Sequence, residues 1–285
     1  MNLESRSRLE IATAALLFST GGAAIKLTQL SGVQVAAGRS LVAVIAFLMV
    51  FPAARQGYRA RTLLVATAYA ATLTLFVLST KLTTAANAIF LQSTAPLYVM
   101  ATAPLLLHER FRRRDLLSAS AIVIGLLLIL GAQDAGQSSA PNPALGNILG
   151  VCSGVSWAAT LMGLRWLGRG GSQDAGVAAV TLGNLLTVVA CLPFVSGSDG
   201  PGLALSDGLV ILYLGVFQVA APYAFLTRGI RAVPAFAAGL IILIEPALSP
   251  VWAFVVHGES VSALAIAGGC LILSASIVKS AADRS

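Results

Sequence analysis

A segment of about 25 residues occurs twice in this chain, 150 positions apart and with no gap between the copies. Ala85, Ala88, Pro96 and Glu109 recur as Ala235, Ala238, Pro246 and Glu259, and further on Ile122 recurs as Ile272. In both copies a proline interrupts an apolar run long enough to cross a bilayer as a helix. The copies occupy the fourth and ninth such runs, five crossings apart, and an odd number of crossings places the second copy upside down. Inverted repeats with broken helices near the midplane mark carriers that open one site to each side of a membrane in turn.

Composition fixes the solvent. Apolar residues make up 57% of the chain and charged residues 10%, against about a quarter charged in soluble domains. Ten apolar runs are predicted to span as helices: 9–27, 33–53, 61–80, 85–107, 114–131, 145–167, 175–195, 206–228, 233–257 and 261–279. The expected fold is an all-α membrane protein, ten transmembrane helices forming two inverted five-helix repeats around a central cavity. Short connections leave no length for a soluble domain.

The net charge of +7 would point to nucleic acid in a soluble chain. Here fifteen of the eighteen Lys and Arg fall on alternate connections. They are Arg6, Arg8, Arg55, Arg59, Arg61, Arg110, Arg112, Arg113, Arg114, Arg165, Arg169, Arg228, Arg231, Lys279 and Arg284. That bias predicts a multi-pass protein of the bacterial inner membrane with both termini in the cytoplasm. It leaves the lipid bilayer, and not nucleic acid, as the macroscopic partner. Arg6 and Arg8 before the first run resemble a signal-peptide basic region, but the run is too long and has no convincing cleavage site, so a retained helix is expected. Cys152, Cys191 and Cys270 lie inside apolar runs. Their odd number and spacing give neither a disulfide framework nor a metal site, and no metal or cofactor is expected.

The longest connection, AQDAGQSSAPNPA at 132–144, reads as a flexible linker on the outer face. It separates an N-terminal repeat (1–131) from a C-terminal one (145–285). The halves also begin alike. LLFSTGGAAIK ends at Lys26 and SGVSWAATLMGLR at Arg165, and a shift of 139 aligns Phe18 with Trp157. Pro52 and Pro193 then close the second helix of each half.

These features, with APLYVMATAPLLLHER in the first half, IEPALSPVWAFVVHGES in the second and IAGGCLILSASIV after it, resemble the drug/metabolite transporter superfamily, as a tandem of two EamA-type halves. The resemblance covers the whole chain, and within the superfamily the sequence is most similar to bacterial exporters of aromatic and other neutral amino acids. It implies that the first, third, fourth, sixth, eighth and ninth helices line the cavity while the fifth and tenth pack behind. One departure from the family is visible: Gln29 to Gln34 gives a very short first outer loop and no obvious substrate signature.

Candidate functional residues follow from the cost of polarity in lipid. Glu245, immediately before Pro246 at the middle of its run, is a candidate for proton coupling, with a structural or gating role and contact with a substrate amine as alternatives. Pro96 and Pro246 are candidate hinges, since a mid-helix proline frees a carbonyl that must be satisfied by protein or by cavity water. Arg39, about 9 Å deep at ~1.5 Å per residue, is within snorkelling reach of the interface; an arginine here is usual in the resembled family, which ranks a folding or pairing role above substrate binding. Ser19, Asn87, Gln92, Tyr98, Ser156, Trp157, Gln218 and Tyr223 are candidate cavity residues. Amides, hydroxyls, aromatics and one carboxyl suit a small zwitterion or flat organic cation. Paired intramembrane Lys and Arg, as a phosphorylated substrate would require, are missing.

No Walker A loop, zinc-protease motif or nucleophile elbow occurs; GVSWA at Gly154 is half an elbow. The chain is therefore expected to be no enzyme. It reads as a secondary transporter exporting small aromatic or neutral amino acids or related metabolites by alternating access, working as a monomer. A multidrug, quaternary-cation or nucleoside carrier on the same fold is the alternative, and an intramembrane lipid-modifying enzyme the alternative of another class.

Overall fold

The computed structural model describes residues 3–109, 113–131, 141–169, 174–195, 204–257 and 263–282. Among these, every regular element is helical. In chain order they are α1 (Leu3–Phe18), α2 (Gly21–Leu27), α3 (Gly32–Val50), α4 (Ala60–Leu82), α5 (Ala85–Gln92), α6 (Ala95–Leu106) and α7 (Arg113–Gly131). The second half holds α8 (Pro143–Arg169), α9 (Ala175–Val195), α10 (Leu205–Tyr213), α11 (Ala221–Gly229), α12 (Ala235–Ile242), α13 (Ile244–His257) and α14 (Ala263–Ala282). Most of the linker at 132–144, and Glu259, lie outside the described residues.

Eight helical stretches are long and apolar enough to cross a membrane: 3–27, 32–50, 60–82, 87–106, 143–169, 175–195, 205–229 and 235–256. The fifth and tenth sequence segments correspond to α7 and α14, whose continuous apolar parts are shorter, Asp115–Leu128 and Ile266–Ala275. Large apolar side chains such as Leu64, Leu117, Leu192, Phe217 and Phe254 point outward. Arg39, Ser153, Thr160, Asn184 and Gln218 are buried. Apolar outside and polar inside is the arrangement a helix bundle takes when its solvent is hydrocarbon.

Helices α7 and α14 pack on one another behind α13. Ile122 and Ile272, the last matched pair of the repeat, are both buried there. Close approach runs through Gly125 beside Ile272 and the Gly268 carbonyl, and through Gly269 beside the Ala247 carbonyl. Ala263 and Ala267, also spaced for helix contact, are exposed instead. Small residues four apart mark a possible seam, but the glycines allow the closer backbone approach and win the interface.

At one end of the bundle the arginines gather. Arg61 lies over the Trp166 ring at 5.1 Å and Arg228 over Phe51 at 5.7 Å. Glu109, buried at the end of the first repeat copy, accepts from Arg165 Nε at 3.1 Å and Arg169 Nη2 at 2.6 Å. Its second oxygen accepts the Ala235 N–H at 2.9 Å, holding an acceptor at the positive end of α12. Arg165 also donates to the carbonyls of Ile230 and Arg231. His108, at φ 53°, makes the turn after α6 that aims Glu109 inward, while Leu107 N–H folds back on the Ala103 carbonyl at 2.8 Å. At the other end, Lys26 donates to the Thr83 carbonyl (3.2 Å), Lys81 to the Thr28 carbonyl (2.9 Å) and Asn142 N–H to the Leu82 carbonyl (3.1 Å).

Removing one partner from a buried charge cluster strands the others, at a cost of about 3 kcal/mol or more. Glu109→Gln is therefore expected to lower the unfolding midpoint of the detergent-solubilised protein strongly. Arg6→Gln removes a pair with Glu10 whose arginine is 72% exposed, and should change stability by less than about 1 kcal/mol. A thermal-shift comparison of the two variants checks the ranking.

Candidate functional site

Four of the eight spans are interrupted, and residues at the interruptions line one cavity. After Phe18, the hydroxyls of Ser19 and Thr20 bond back to the carbonyls of Leu16 (2.7 Å) and Leu17 (2.9 Å), competing with continuation of α1. Between α5 and α6 the Thr94 hydroxyl takes the Leu91 carbonyl at 2.6 Å. Between α12 and α13 the Leu243 N–H tightens onto Leu240 at 3.3 Å. The two latter breaks fall at equivalent points of the repeat.

Pro96 and Pro246 sit in the first turn of α6 and α13. There the missing N–H has no helical partner to lose. The prolines thus begin new helices, and the breaks they were expected to form lie at Ser93–Thr94 and Leu243. The fourth interruption joins α10 to α11 by a widened π-type turn, Leu214–Ala220. Pro222, just beyond it, has no N–H to return to the Gln218 carbonyl, and π-bulges recur at functional positions.

The cavity holds about 20 Å³, room for little more than one water molecule. Phe18, Gln92, Gln218 and Glu245 come from the interrupted spans, with Tyr223 from α11. Continuous helices supply Arg39 from α3, Thr72, Leu73 and Phe76 from α4, and Trp157 from α8. All six segments implied by the resemblance thus contribute, and the second joins them through Arg39.

Arg39 departs from the snorkelling expectation. It is 1% exposed and faces the protein interior, so it does not snorkel. Its Nη1 donates to Gln218 Oε1 at 2.9 Å and its Nη2 to the Leu73 carbonyl at 3.1 Å, while Nε has no partner among the described residues. The π-type turn makes this contact possible. A Cβ on Gly215 would stand 2.4 Å from Val42 Cβ and 2.8 Å from the Arg39 carbonyl, so only glycine lets the turn approach α3 closely enough.

Aromatic rings form one wall. Tyr223 meets Phe18 at 4.9 Å, Tyr69 at 4.6 Å and Trp157 at 6.0 Å between centroids, all edge to face. Asn184 donates to the Tyr69 hydroxyl at 2.9 Å, fixing that ring from behind. On the opposite side Gln92 donates to Ser153 Oγ (2.7 Å), which donates to the Thr72 carbonyl (3.3 Å). Glu245 makes no hydrogen bond or ion pair among the described residues. Arg39 and Tyr223 are the charged or titratable groups in electrostatic contact with it.

Of the candidate cavity residues, Gln92, Trp157, Gln218 and Tyr223 line this space together with Glu245. Ser19 does not, because its hydroxyl accepts from Trp252 Nε1 at 2.8 Å. Asn87 sits in the first turn of α5 and donates to Thr83 Oγ1 at 3.4 Å. Tyr98 packs partly buried against the core, and Ser156 is half-buried on α8, whose uninterrupted helix gives GVSWA no sharp turn. Among the described residues no three His, Cys, Asp or Glu side chains gather as metal ligands.

The EamA-like transporter family matches residues 9–131 and 144–280, once over each half. The chain belongs to that family. It is similar to the threonine/homoserine exporter RhtA of Salmonella typhimurium, strains SL1344 and LT2. Identity to these is 26% over 207 residues, 71% of this chain and 65% of theirs. An uncharacterized transporter of Clostridium kluyveri is 32% identical over 100 residues, 35% of this chain and 30% of that one. The chain thus aligns with less than two thirds of the length of each of these relatives. A solved crystal structure superposes with a TM-score of 0.74 at 19% identity, covering 99% of this chain and 98% of the other; it shares the fold.

The Gly215 contact generates a test. Gly215→Ala should push the π-type turn off α3, break the Arg39–Gln218 bond and leave a buried guanidinium short of an acceptor, at a cost of about 2 kcal/mol or more. A thermal-shift measurement showing an unchanged midpoint would contradict this.

Proposed function

We propose that this protein is a secondary transporter that exports small neutral or aromatic amino acids across the bacterial inner membrane by alternating access. One observation carries the reading: a carboxyl, a guanidinium, two amides and an aromatic wall converge where four interrupted spans meet. A small zwitterion with an apolar side chain complements such a lining. The similarity to threonine/homoserine exporters supports the same substrate class. A flat organic cation is the second reading, favoured by the rings and Glu245 and opposed by the buried charge of Arg39.

In this reading ten helices cross the membrane, α7 and α14 among them, as two inverted repeats covering 1–131 and 145–285. Two features support the inversion: α12 begins beside Glu109, where the first copy ends, and the breaks recur 150 residues apart. The arginine-rich end faces the cytoplasm with both termini. Gln92, Trp157, Gln218 and Tyr223 contact substrate, and the half-helices joined at Ser93–Thr94 and Leu243 reorient to expose the cavity to each side. Glu245 takes up a proton when the cavity faces outward and releases it inside. The monomer contains the entire pathway.

Single cysteines at positions 108 and 257, in a background free of Cys152, Cys191 and Cys270, are expected to react with impermeant reagent from opposite faces. Reaction from one face removes the inversion. Purified protein in liposomes is expected to show counterflow of labelled neutral amino acids, recovered chemically unchanged. Glu245→Gln should lose accumulation driven by a pH gradient while still exchanging solute. Retained pH-driven accumulation in that variant excludes the coupling role.

A further inference from the structure

Arg39 stands in the cavity lining with a buried donor to spare. An arginine in a membrane interior pairs with a carboxylate or with backbone carbonyls. Arg39 bonds two neutral oxygens, the Gln218 amide and the Leu73 carbonyl, and keeps a buried Nε–H without a partner among the described residues. The one carboxyl of the cavity, Glu245, forms no ion pair with it. A guanidinium and a carboxyl therefore line the same small space, each with bonding capacity left over. A buried donor without a partner is costly unless a ligand completes it.

We propose that Arg39 and Glu245 together form a receptor for the α-amino acid zwitterion, Arg39 donating from Nε–H to the substrate carboxylate and the Glu245 carboxylate accepting from the substrate ammonium. This rests on the amino-acid reading above and adds to it which atoms of the substrate are read. The guanidinium edge carrying Nε and Nη2 is the fork on which a carboxylate docks with two parallel bonds. Gln218 and the Leu73 carbonyl fix that fork, and Gly215 lets the turn bearing Gln218 reach it. The side chain of the substrate then lies against Phe18, Trp157 and Tyr223, whose apolar faces tolerate differences in size. The backbone charges thus supply the requirement for an amino acid, and the aromatic wall sets a loose preference for its side chain. The present volume of about 20 Å³ is smaller than any amino acid, so the two charges separate as the cavity opens and close on the substrate's own pair of charges.

The test is competition in proteoliposome counterflow, with an amino acid the wild type exchanges as the labelled solute. Three unlabelled competitors are compared: the parent compound, its carboxamide and its desamino acid. Each analogue lacks one charge and is expected to compete roughly 10- to 100-fold more weakly than the parent. Arg39→Lys keeps a positive charge but loses the fork. It should raise the half-saturation concentration of the parent and shrink the gap between parent and carboxamide, leaving the gap to the desamino compound. Glu245→Gln should do the reverse. If Arg39→Lys fails to fold, Gln218→Leu, which releases the fork without removing it, should narrow the carboxamide gap in the same way. A purely structural Arg39 lowers the exchange rate in these variants but leaves the competitor ranking unchanged. A carboxamide that competes as well as the parent in the wild type overturns the receptor while leaving amino-acid transport standing. If no amino acid exchanges at all, the functional reading itself has failed, and the receptor with it.

Discussion

The rest of the architecture answers to one buried charge. Arg39 cannot be neutralised at any physiological pH, and it stands in the interior of a bundle whose exterior is built for lipid. Around it the chain supplies acceptors that ordinary helices do not offer. A π-type turn carries Gln218 to within 2.9 Å of Nη1, a glycine at 215 lets that turn lie against α3, and α4 gives up a carbonyl at Leu73. Each departure from regular helix costs hydrogen bonding or packing in isolation. Together they hold a guanidinium in place without a tight carboxylate partner, which leaves the charge available across the cavity.

The division of labour among helices follows from the same point. Interrupted spans bring polar groups to the cavity, because a helix end presents backbone and short side chains that a continuous helix hides. Continuous helices α4, α8 and α9 form the frame, pinned by buried polar contacts such as Thr72 Oγ1 to Thr160 Oγ1 at 3.1 Å and Asn184 to Tyr69. Frame contacts join neighbouring rods. Contacts of the interrupted spans often run to nearby backbone, as with Thr94 on Leu91 and Ser19 on Leu16. Such local bonds travel with their own half-helix when it tilts, so reorientation need not break them.

Much of this was legible in the residues. The repeat placed the paired breaks near Pro96 and Pro246, and the cost of a carboxylate in lipid singled out Glu245. The snorkelling expectation for Arg39 failed because distance along a helix gives depth but not direction. Counting inward from the interface placed it within reach of water, and only packing against the turn at 214–220 shows that it faces inward. The break at Ser19–Thr20 had a signal in the run Ser-Thr-Gly-Gly, whose hydroxyls compete with helical carbonyls and whose glycines weaken the helix. The π-type turn had less: Gly215 and Pro222 are compatible with an ordinary kink. Ser19, Asn87, Tyr98 and Ser156 were plausible as polar groups in the right segments, but a polar side chain on a lining helix faces the cavity only if its own turn does. Ser19 found Trp252, a partner 233 positions away that no local pattern announces.

The geometry also links the cavity to the end of the bundle. Glu245 stands on the first turn of α13, one break away from α12, and the first residue of α12 is held by Glu109. The eight residues of α12 span roughly 12 Å at ~1.5 Å per residue. That short, wholly buried rod therefore has the Glu109–Arg165–Arg169 cluster at one end and the break beside the cavity carboxyl at the other. Under the proposed cycle, opening the arginine-rich face requires α12 to leave Glu109, and the displacement arrives at Leu243 rather than dissipating along a continuous helix. A kinked but unbroken ninth helix would tie both ends to one rigid-body motion. A broken one lets the end of the bundle and the cavity move in sequence, and this is the property that alternating access requires of a helix passing through its binding site.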